Sequence, residues 1–462
     1  MKIAVCVRQG LDGELGPFDA SAYEAALGIE GAEVILLSMG ALPTGELLTR
    51  LSRLGASRAV LLCDKAFAGA DTLATAYALS LALKHLEADF VFCGRQTLIG
   101  DTAQTPPMLS HMLGYSFLSG VMSAERGADG GIVCVTRDKE TFAMPERSVI
   151  AFEKSYKLRL PRLRSMAREV EILHAADVSA DVSRCGLGGS PTRVLESFEN
   201  QSGKRKCTFM DGGLYSAIQR ALEDHEKISL SDQVGTGEML PHVCAVGQAP
   251  LAFAERVSEN VTVLPMGDAE SVIGYIKEQK PTMVLFGSDE RSKTLAATVA
   301  ASLSLGLCAD CTHMAYENGE PVMYRPALSG SVIAKIRSIT SPALATVRTD
   351  QKSGEDVVIG VGYGARNYLS QIFAFAEKIG AKVMASRKLV DNGYMPYECQ
   401  VGLTGVTVSP KVYVAIGISG AVHHIMGMQR AGTVIAVNPD RQAPIFEYAD
   451  FGIAEEIESV LY

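Results

Sequence analysis

The sequence predicts an α/β chain built on parallel sheets, and three observations carry that prediction. Short, near-continuous apolar runs such as KIAVCV, AEVILLSMG and DFVFCG alternate with amphipathic stretches of helical period. That is the pattern of buried parallel strands covered by helices. The alternation restarts with HVCAVG, VTVLPMG and TMVLFG, and a last series, AKVMASR, KVYVAIGI and TVIAVN, closes the chain.

Composition sets the limits. With 462 residues, 47% hydrophobic and 21% charged, the chain is globular and long enough for about two to four domains. Its net charge of -9 argues against a nucleic-acid partner, and the one basic stretch, KSYKLRLPRLRSMAR (154–168), is short and isolated. No apolar run reaches membrane-spanning length and MKIAVCVRQG reads as a strand rather than a signal, so a cytoplasmic location is expected. The ten cysteines are scattered; Cys308 and Cys311 form a lone CxxC with no second pair at zinc or cluster spacing, so reduced thiols are expected and no metal site. Neither a GxSxG elbow nor an HExxH helix is present, which turns the reading away from hydrolysis and metal catalysis.

Taken in order, the first series passes through turn signals at VRQGLDGELGPFDASAYEAAL and reaches DFVFCG. There GRQTLIGDTAQTPPMLSHMLG (94–114) runs from loop into helix. Gly94 and Gly100 loosen the backbone, and Asp101, Thr102, Gln104 and Thr105, around Ala103, suit either a capped helix start or contacts to a ribose or phosphate. Residues 199–240 lose strand character and read as a linker carrying one amphipathic helix, LYSAIQRALEDH. In the closing series, KVYVAIGI meets a turn of Gly417, Ser419 and Gly420 before AVHHIMGM, a strand, glycine turn and helix that would let backbone approach a pyrophosphate. Ser386 with Arg387, and Asn438, end two neighbouring strands, while Gln400 and Thr404 sit in a glycine-containing loop. Polar residues therefore collect at carboxyl ends of strands, where open α/β sheets bind ligands.

The run ASRKLVDNGYMPYECQVGLTG through APIFEYADFGI resembles the FAD domain of the electron transfer flavoprotein alpha subunit, with its motifs in the same order. RPALSGSVIAKI and PALATVR resemble that subunit's amino-terminal domain. RAVLLCDKAFAGADT and FCGRQTLIGDTAQTPPML are similar to the beta subunit, and GLGGSPTRVLESF (186–198) to its carboxyl-terminal arm. The resemblance implies a fusion of two subunits: a beta-like domain with its arm at 1–198, a linker at 199–240, an alpha amino-terminal-like domain at 241–350 and the FAD-binding domain at 351–462. Two Rossmann-like domains, of the adenine nucleotide alpha hydrolase-like type, and a parallel FAD-binding α/β domain are the fold it implies.

It also implies roles. Ser386, Gln400, Val401, Gly402 and Leu403 would shape the flavin pocket, Thr404 would donate near N5, Arg387 would lay positive charge on the ring, and His424 would face O2 and N1 as a cation or N–H donor. Gly362, Tyr363, Ser419 and Gly420, with Ala421, Val422 and His423, would meet the diphosphate side and the ring edge, and Asn438, Asp450 and Phe451 the adenosine end. The loop of Gly94, Gly100, Asp101, Thr102, Ala103, Gln104 and Thr105 would hold AMP, or a second FAD as in the electron-bifurcating branch. Residues 158–168 correspond to the loop and helix that dock an acyl-CoA dehydrogenase or related flavin dehydrogenase, near Leu158, Pro161 and Met166.

Some positions depart from the family. Tyr363 stands where an arginine is usual beside the diphosphate, and His423 where a glutamine is usual. Three functions follow as expectations: an FAD electron carrier, a bifurcating module with a second FAD and NADH as donor, or an adenine-nucleotide sensor that has lost its flavin.

Overall fold

The computed structural model describes residues 1–10, 13–97, 100, 102–128, 130–199, 204–210, 213–225, 238–327, 332–347, 356–402 and 405–461. Its first elements are β1 (Lys2–Cys6), α1 (Pro17–Gly28), β2 (Glu33–Met39), α2 (Thr44–Ser52), β3 (Arg58–Leu62), α3 (Thr72–His85), β4 (Phe90–Gly94) and α4 (Thr105–Leu113). They continue with β5 (Ser116–Arg126), β6 (Ile132–Thr136), β7 (Thr141–Met144), β8 (Ser148–Phe152), β9 (Val170–Leu173), α5 (Gly186–Gly189) and β10 (Thr192–Glu199). After β11 (Thr208–Phe209) and α6 (Leu214–His225) come β12 (Val243–Val246), α7 (Leu251–Val257), β13 (Val261–Leu264), α8 (Ala269–Gln279), β14 (Met283–Phe286) and α9 (Glu290–Leu303). β15 (Leu307–Cys311), β16 (His313–Glu317), β17 (Glu320–Ala327), β18 (Val332–Ser338) and β19 (Ala343–Val347) follow. The last series is β20 (Val357–Val361), α10 (Leu369–Ile379), β21 (Lys382–Ala385), α11 (Arg387–Asp391), β22 (Val412–Ile416), α12 (Val422–Met428), β23 (Thr433–Val437), β24 (Phe451–Ile453) and α13 (Ile457–Val460).

Two compact units result: Met1–Ser197 with Gly235–Leu328 and Ala334–Val347, and Phe198–Val234 with Ser329–Ile333 and Arg348–Tyr462. The first contains a nine-stranded sheet in the order β7-β6-β5-β8-β4-β1-β2-β3-β9 and a five-stranded sheet, β13-β12-β14-β19-β15. Their strands are parallel except at β5-β6-β7, where an antiparallel meander closes one edge. The apolar runs explain the parallel part: every residue of β4 and of β14 is buried, as strands covered on both faces must be. One core joins both series, running from Val91 and Leu109 to Phe286, Ala296 and Ala300. Helix starts follow their caps, with Asp71 accepting from Ala74 N at 3.0 Å ahead of α3 and Asp289 from Ser292 N at 3.0 Å ahead of α9.

The second unit holds a six-stranded parallel sheet, β11-β24-β23-β22-β20-β21. The stretch expected as a linker adds two elements to it. β11 pairs with β24, and α6 buries Leu214, Ala217, Ile218 and Ala221 in the core beneath β20, β22 and β23. Those spacings of three, four and seven make one apolar stripe on a helix, which is stable in water only when another face covers it.

The basic segment forms neither helix nor strand between residues 153 and 169, where a loop and helix were expected. Leu158 packs against the first unit's core, whereas Leu160, Leu163 and Met166 are 87%, 102% and 82% exposed. Among the described residues no helix is long and apolar enough to cross a membrane.

Candidate functional site

Each unit holds a candidate site of its own. In the second, β20 lies between β21 and β22, so the chain leaves β20 toward one neighbour and returns on the other side. The loops after β20 and β22 diverge there and open a crevice at the carboxyl ends. Gly362 follows β20 and touches the turn after β22, since a Cβ on Gly362 would lie 2.0 Å from the Gly417 carbonyl oxygen. Gly420 has φ of 95°, and a Cβ there would lie 2.2 Å from Ile445 N. Asn438 Nδ2 donates to the Ile418 carbonyl at 3.0 Å and Ile445 N to the Ser419 carbonyl at 3.2 Å, so the turn is held from both sides. Ala421 and Val422 lead from it into α12 as N-cap and first helical residue.

A second group converges beside the turn. Ser386 and Arg387 leave β21; Gln400 bridges to Ala385, and Val401 N donates to the Ala385 carbonyl at 2.9 Å. Gly402 lies against the His423 carbonyl. Ser386 Oγ and His423 Nδ1 are buried with no hydrogen-bond partner. Orphaned polar atoms cost about 1–3 kcal/mol each, so they point to a polar ligand. Burial, and then the Arg387 charge, holds the His423 imidazole below its ordinary pKa. Arg387 Nε lies 3.6 Å from Asp391 Oδ2. Leu403 and Thr404 lie outside the described residues.

The surroundings bear on three of the expectations. His424 carries no charge near neutral pH, because burial drives its pKa down to about 4, against a small opposing pull from the Val401 backbone. Its Nε2 meets the buried Tyr413 hydroxyl at 2.8 Å, so it acts through an N–H or lone pair and not as a cation. At Tyr363, positive charge is supplied by neighbours: the Arg366 guanidinium lies 4.6 Å and Lys388 Nζ 4.8 Å from the ring centre. Asp450 and Phe451 lie at the start of the three-residue β24, level with Val434 and Ile435 in the body of β23 and short of its carboxyl end.

Asp450 is structural. Its carboxylate accepts from Val434 N at 2.8 Å and pairs with Arg205, whose guanidinium also donates to the carbonyls of Ala431 and Gly432. The acidic residues past the carboxyl end of β24 are Glu455 and Glu456. Asp450→Asn is expected to destabilise the second unit by about 2–4 kcal/mol, because the Arg205 charge loses its partner, while leaving flavin affinity within about threefold. Denaturant melts and flavin titration of the same variant check both halves.

In the first unit a cavity of about 1050 Å³ opens at the carboxyl ends of β1, β2 and β4. Gly94, Gly100, Thr102, Ala103, Gln104 and Thr105 all line it, while Asp101 lies outside the described residues. Gln104 precedes α4 without capping it, and both its amide atoms, like Gln96 Nε2, are buried and unpartnered at the wall. Ala103 holds φ of 54°. Asp19, Gln96 and Arg325 were missed by the sequence reading. Asp19 lies against Gly94 and accepts from Arg8 N at 2.8 Å, and burial raises its carboxyl to about pKa 7. Arg325 was visible only as a lone charge inside the apolar-looking strand VMYRPA.

A flavin dinucleotide fits the crevice of the second unit. The glycine turn lies at the switch point of the sheet, and Ser386 Oγ and His423 Nδ1 are buried donors or acceptors awaiting a partner. The domain family described as Electron transfer flavoprotein FAD-binding domain matches residues 353–429, and the Electron transfer flavoprotein domain matches 3–149 and 254–352. The electron transfer flavoprotein subunit alpha of Thermoanaerobacterium thermosaccharolyticum is 33% identical over 241 residues, 42% of this chain and 73% of the relative. Protein FixB of Clostridium saccharobutylicum is 34% identical over 230 residues, 40% of this chain and 69% of the relative. A subunit of a lactate dehydrogenase (NAD(+),ferredoxin), LctC of Acetobacterium woodii, is 33% identical over 232 residues, 40% of this chain and 56% of the relative.

Proposed function

The chain belongs to the electron transfer flavoprotein family, and from that premise we propose that it is a single-chain carrier taking electrons from a flavin dehydrogenase of acyl-CoA dehydrogenase type. Residues 1–198 stand in for a beta subunit, 199–240 join the parts, and 241–350 and 351–462 stand in for an alpha subunit. FAD, when bound, supplies the one- and two-electron chemistry. The observation that carries the reading is the crevice at the switch point of the second unit, where a glycine turn and two unpartnered polar atoms meet within the FAD-binding match.

The chain's own residues do the rest. Gly362 and Gly420 let the turn pack closely on the chain's own backbone, which shapes the place where the diphosphate would lie, and Asn438 holds the turn. Ser386 and His423 present Oγ and Nδ1 to the ring, and Arg387 sets the positive potential there. The paired Tyr413 and His424 fix a neutral imidazole, so the potential of the site rests on Arg387 and not on a histidine cation. The partner dehydrogenase docks on the exposed segment around Pro161, Leu163 and Met166, with Leu158 serving as its internal anchor.

The cavity of the first unit takes an adenine nucleotide. One observation favours the bifurcating reading, with a second FAD there and NADH as donor: at about 1050 Å³ the cavity lies at the top of the roughly 300–1,000 Å³ range of small-ligand sites, roomy for a mononucleotide. The resemblance to a relative named lactate dehydrogenase (NAD(+),ferredoxin) points the same way.

Chromatography of the ligands released from purified protein tests both readings. One FAD with one AMP per chain is the result expected of the carrier. Two FAD would replace it with the bifurcating module, and NADH oxidation would then be assayed. Protein that takes up no flavin on reconstitution would leave only the adenine-nucleotide sensor.

A further inference from the structure

Four cationic side chains line the cavity of the first unit: Arg8, Lys65, Arg95 and Arg325. Arg325 is set apart by origin and burial. It comes from β17, it is 7% exposed, and its Nη2 donates to the Gly100 carbonyl at 2.9 Å, joining the loop ahead of α4 to a strand 225 residues further along the chain.

That loop leads into a helix with few donors to offer. α4 spans nine residues, and its second and third are Pro106 and Pro107, which have no N–H. The first turn of a helix is ordinarily where free N–H groups receive an anion. Here two of those groups are missing, yet the neighbouring Gln104 amide and Gln96 Nε2 are buried, unpartnered and at the cavity wall. The wall therefore offers neutral amides for a base or sugar, and its charge for a phosphate comes from side chains.

We propose that Arg325 is the specificity-determining residue that makes this cavity select a phosphorylated nucleotide over a nucleoside, its guanidinium charge standing in for the N–H donors that the two prolines remove. The proposal rests on the reading that the cavity holds an adenine nucleotide. Gly100 fixes the guanidinium in place, and its burial at 7% exposure strengthens the charge it offers to a phosphate.

Calorimetric titration of the full chain, reconstituted with one equivalent of FAD, with AMP and with adenosine tests it. Wild type is expected to prefer AMP over adenosine by more than tenfold. Arg325→Gln keeps a donor for Gly100 but no charge, and is expected to lose AMP affinity about 10- to 100-fold with adenosine changed less than about threefold. Arg325→Lys keeps the charge and is expected to hold AMP within about tenfold. Equal losses of AMP and adenosine in Arg325→Gln would mean a structural role only, and unchanged AMP affinity would mean none; either overturns the proposal. Wild-type protein that binds neither ligand would instead overturn the nucleotide reading of the cavity on which it rests.

Discussion

Gly420→Ala is expected to strip flavin from the second unit and to destabilise that unit by about 3 kcal/mol or more. Two costs add at this position. A side chain at φ of 95° is strained on its own account, by about 1–3 kcal/mol. The new Cβ would also stand 2.2 Å from Ile445 N and 2.5 Å from the Pro444 carbonyl carbon, which are backbone atoms and cannot swing aside. Relief requires the turn to move off the 444–445 backbone, and the turn is the part of the crevice proposed above to meet the diphosphate. Gly380→Ala is the matched control. It too has positive φ, 65°, at the end of α10, but nothing lies within 4 Å of its Cβ position, so a loss of about 1 kcal/mol with full flavin retention is expected. Equal flavin content in the two variants would show that the turn does not hold the cofactor.

Acidification from neutrality toward pH 4 is expected to weaken the second unit and strengthen the first. In the second, His424 takes a proton at about pH 4 when folded, against 6.5 for the free side chain. Above 6.5 neither state is protonated and stability is level. Between 6.5 and 4 the unfolded chain binds a proton that the folded one refuses, so stability falls by about 1.4 kcal/mol per unit, roughly 3 kcal/mol in all. Asp19 behaves oppositely. Its folded pKa of about 7 lies above the free value of 3.8, because burial penalises the carboxylate more than the Arg8 and Gly94 backbone bonds favour it. The stability it contributes is full below 3.8 and is lost as pH rises to 7, by a similar amount. Hydrogen exchange read separately on peptides from β22 and β4 resolves the two slopes. Asp19→Asn should flatten the dependence in β4, and His424→Gln that in β22; slopes unchanged in either variant would assign the proton uptake elsewhere.

Much of the architecture was legible because each parallel strand is a local apolar run. DFVFCG and KVYVAIGI became the fully buried β4 and β22, and the glycine turn at 417–420 fell where strand gives way to helix. The glycines and polar residues of the loop at 94–105 suited a helix start as well as a ligand, and it took the fold to show that its described members line one cavity. Asp450 and Phe451 were misplaced for an equally local reason. They adjoin a strand, but a motif does not say how far along the sheet that strand sits, and the pairing of Phe451 with Ile435, the middle residue of β23, puts them two and three residues short of its carboxyl end. The stretch 199–240 looked like a linker because its two-residue strand is too short to show a period.

The charge state of His424 was beyond the sequence altogether, since it depends on burial beside Tyr413 across a strand and a turn. So was Arg325, whose contact closes a loop of 225 residues. By itself the sequence determined where strands, helices and glycine turns lie, because hydrophobic periodicity and backbone permissiveness act over a few neighbouring residues. The tertiary structure alone decided which polar groups are stripped of water and what they then face, because burial and Coulomb interaction depend on distance in space, and the chain brings those groups together from far apart.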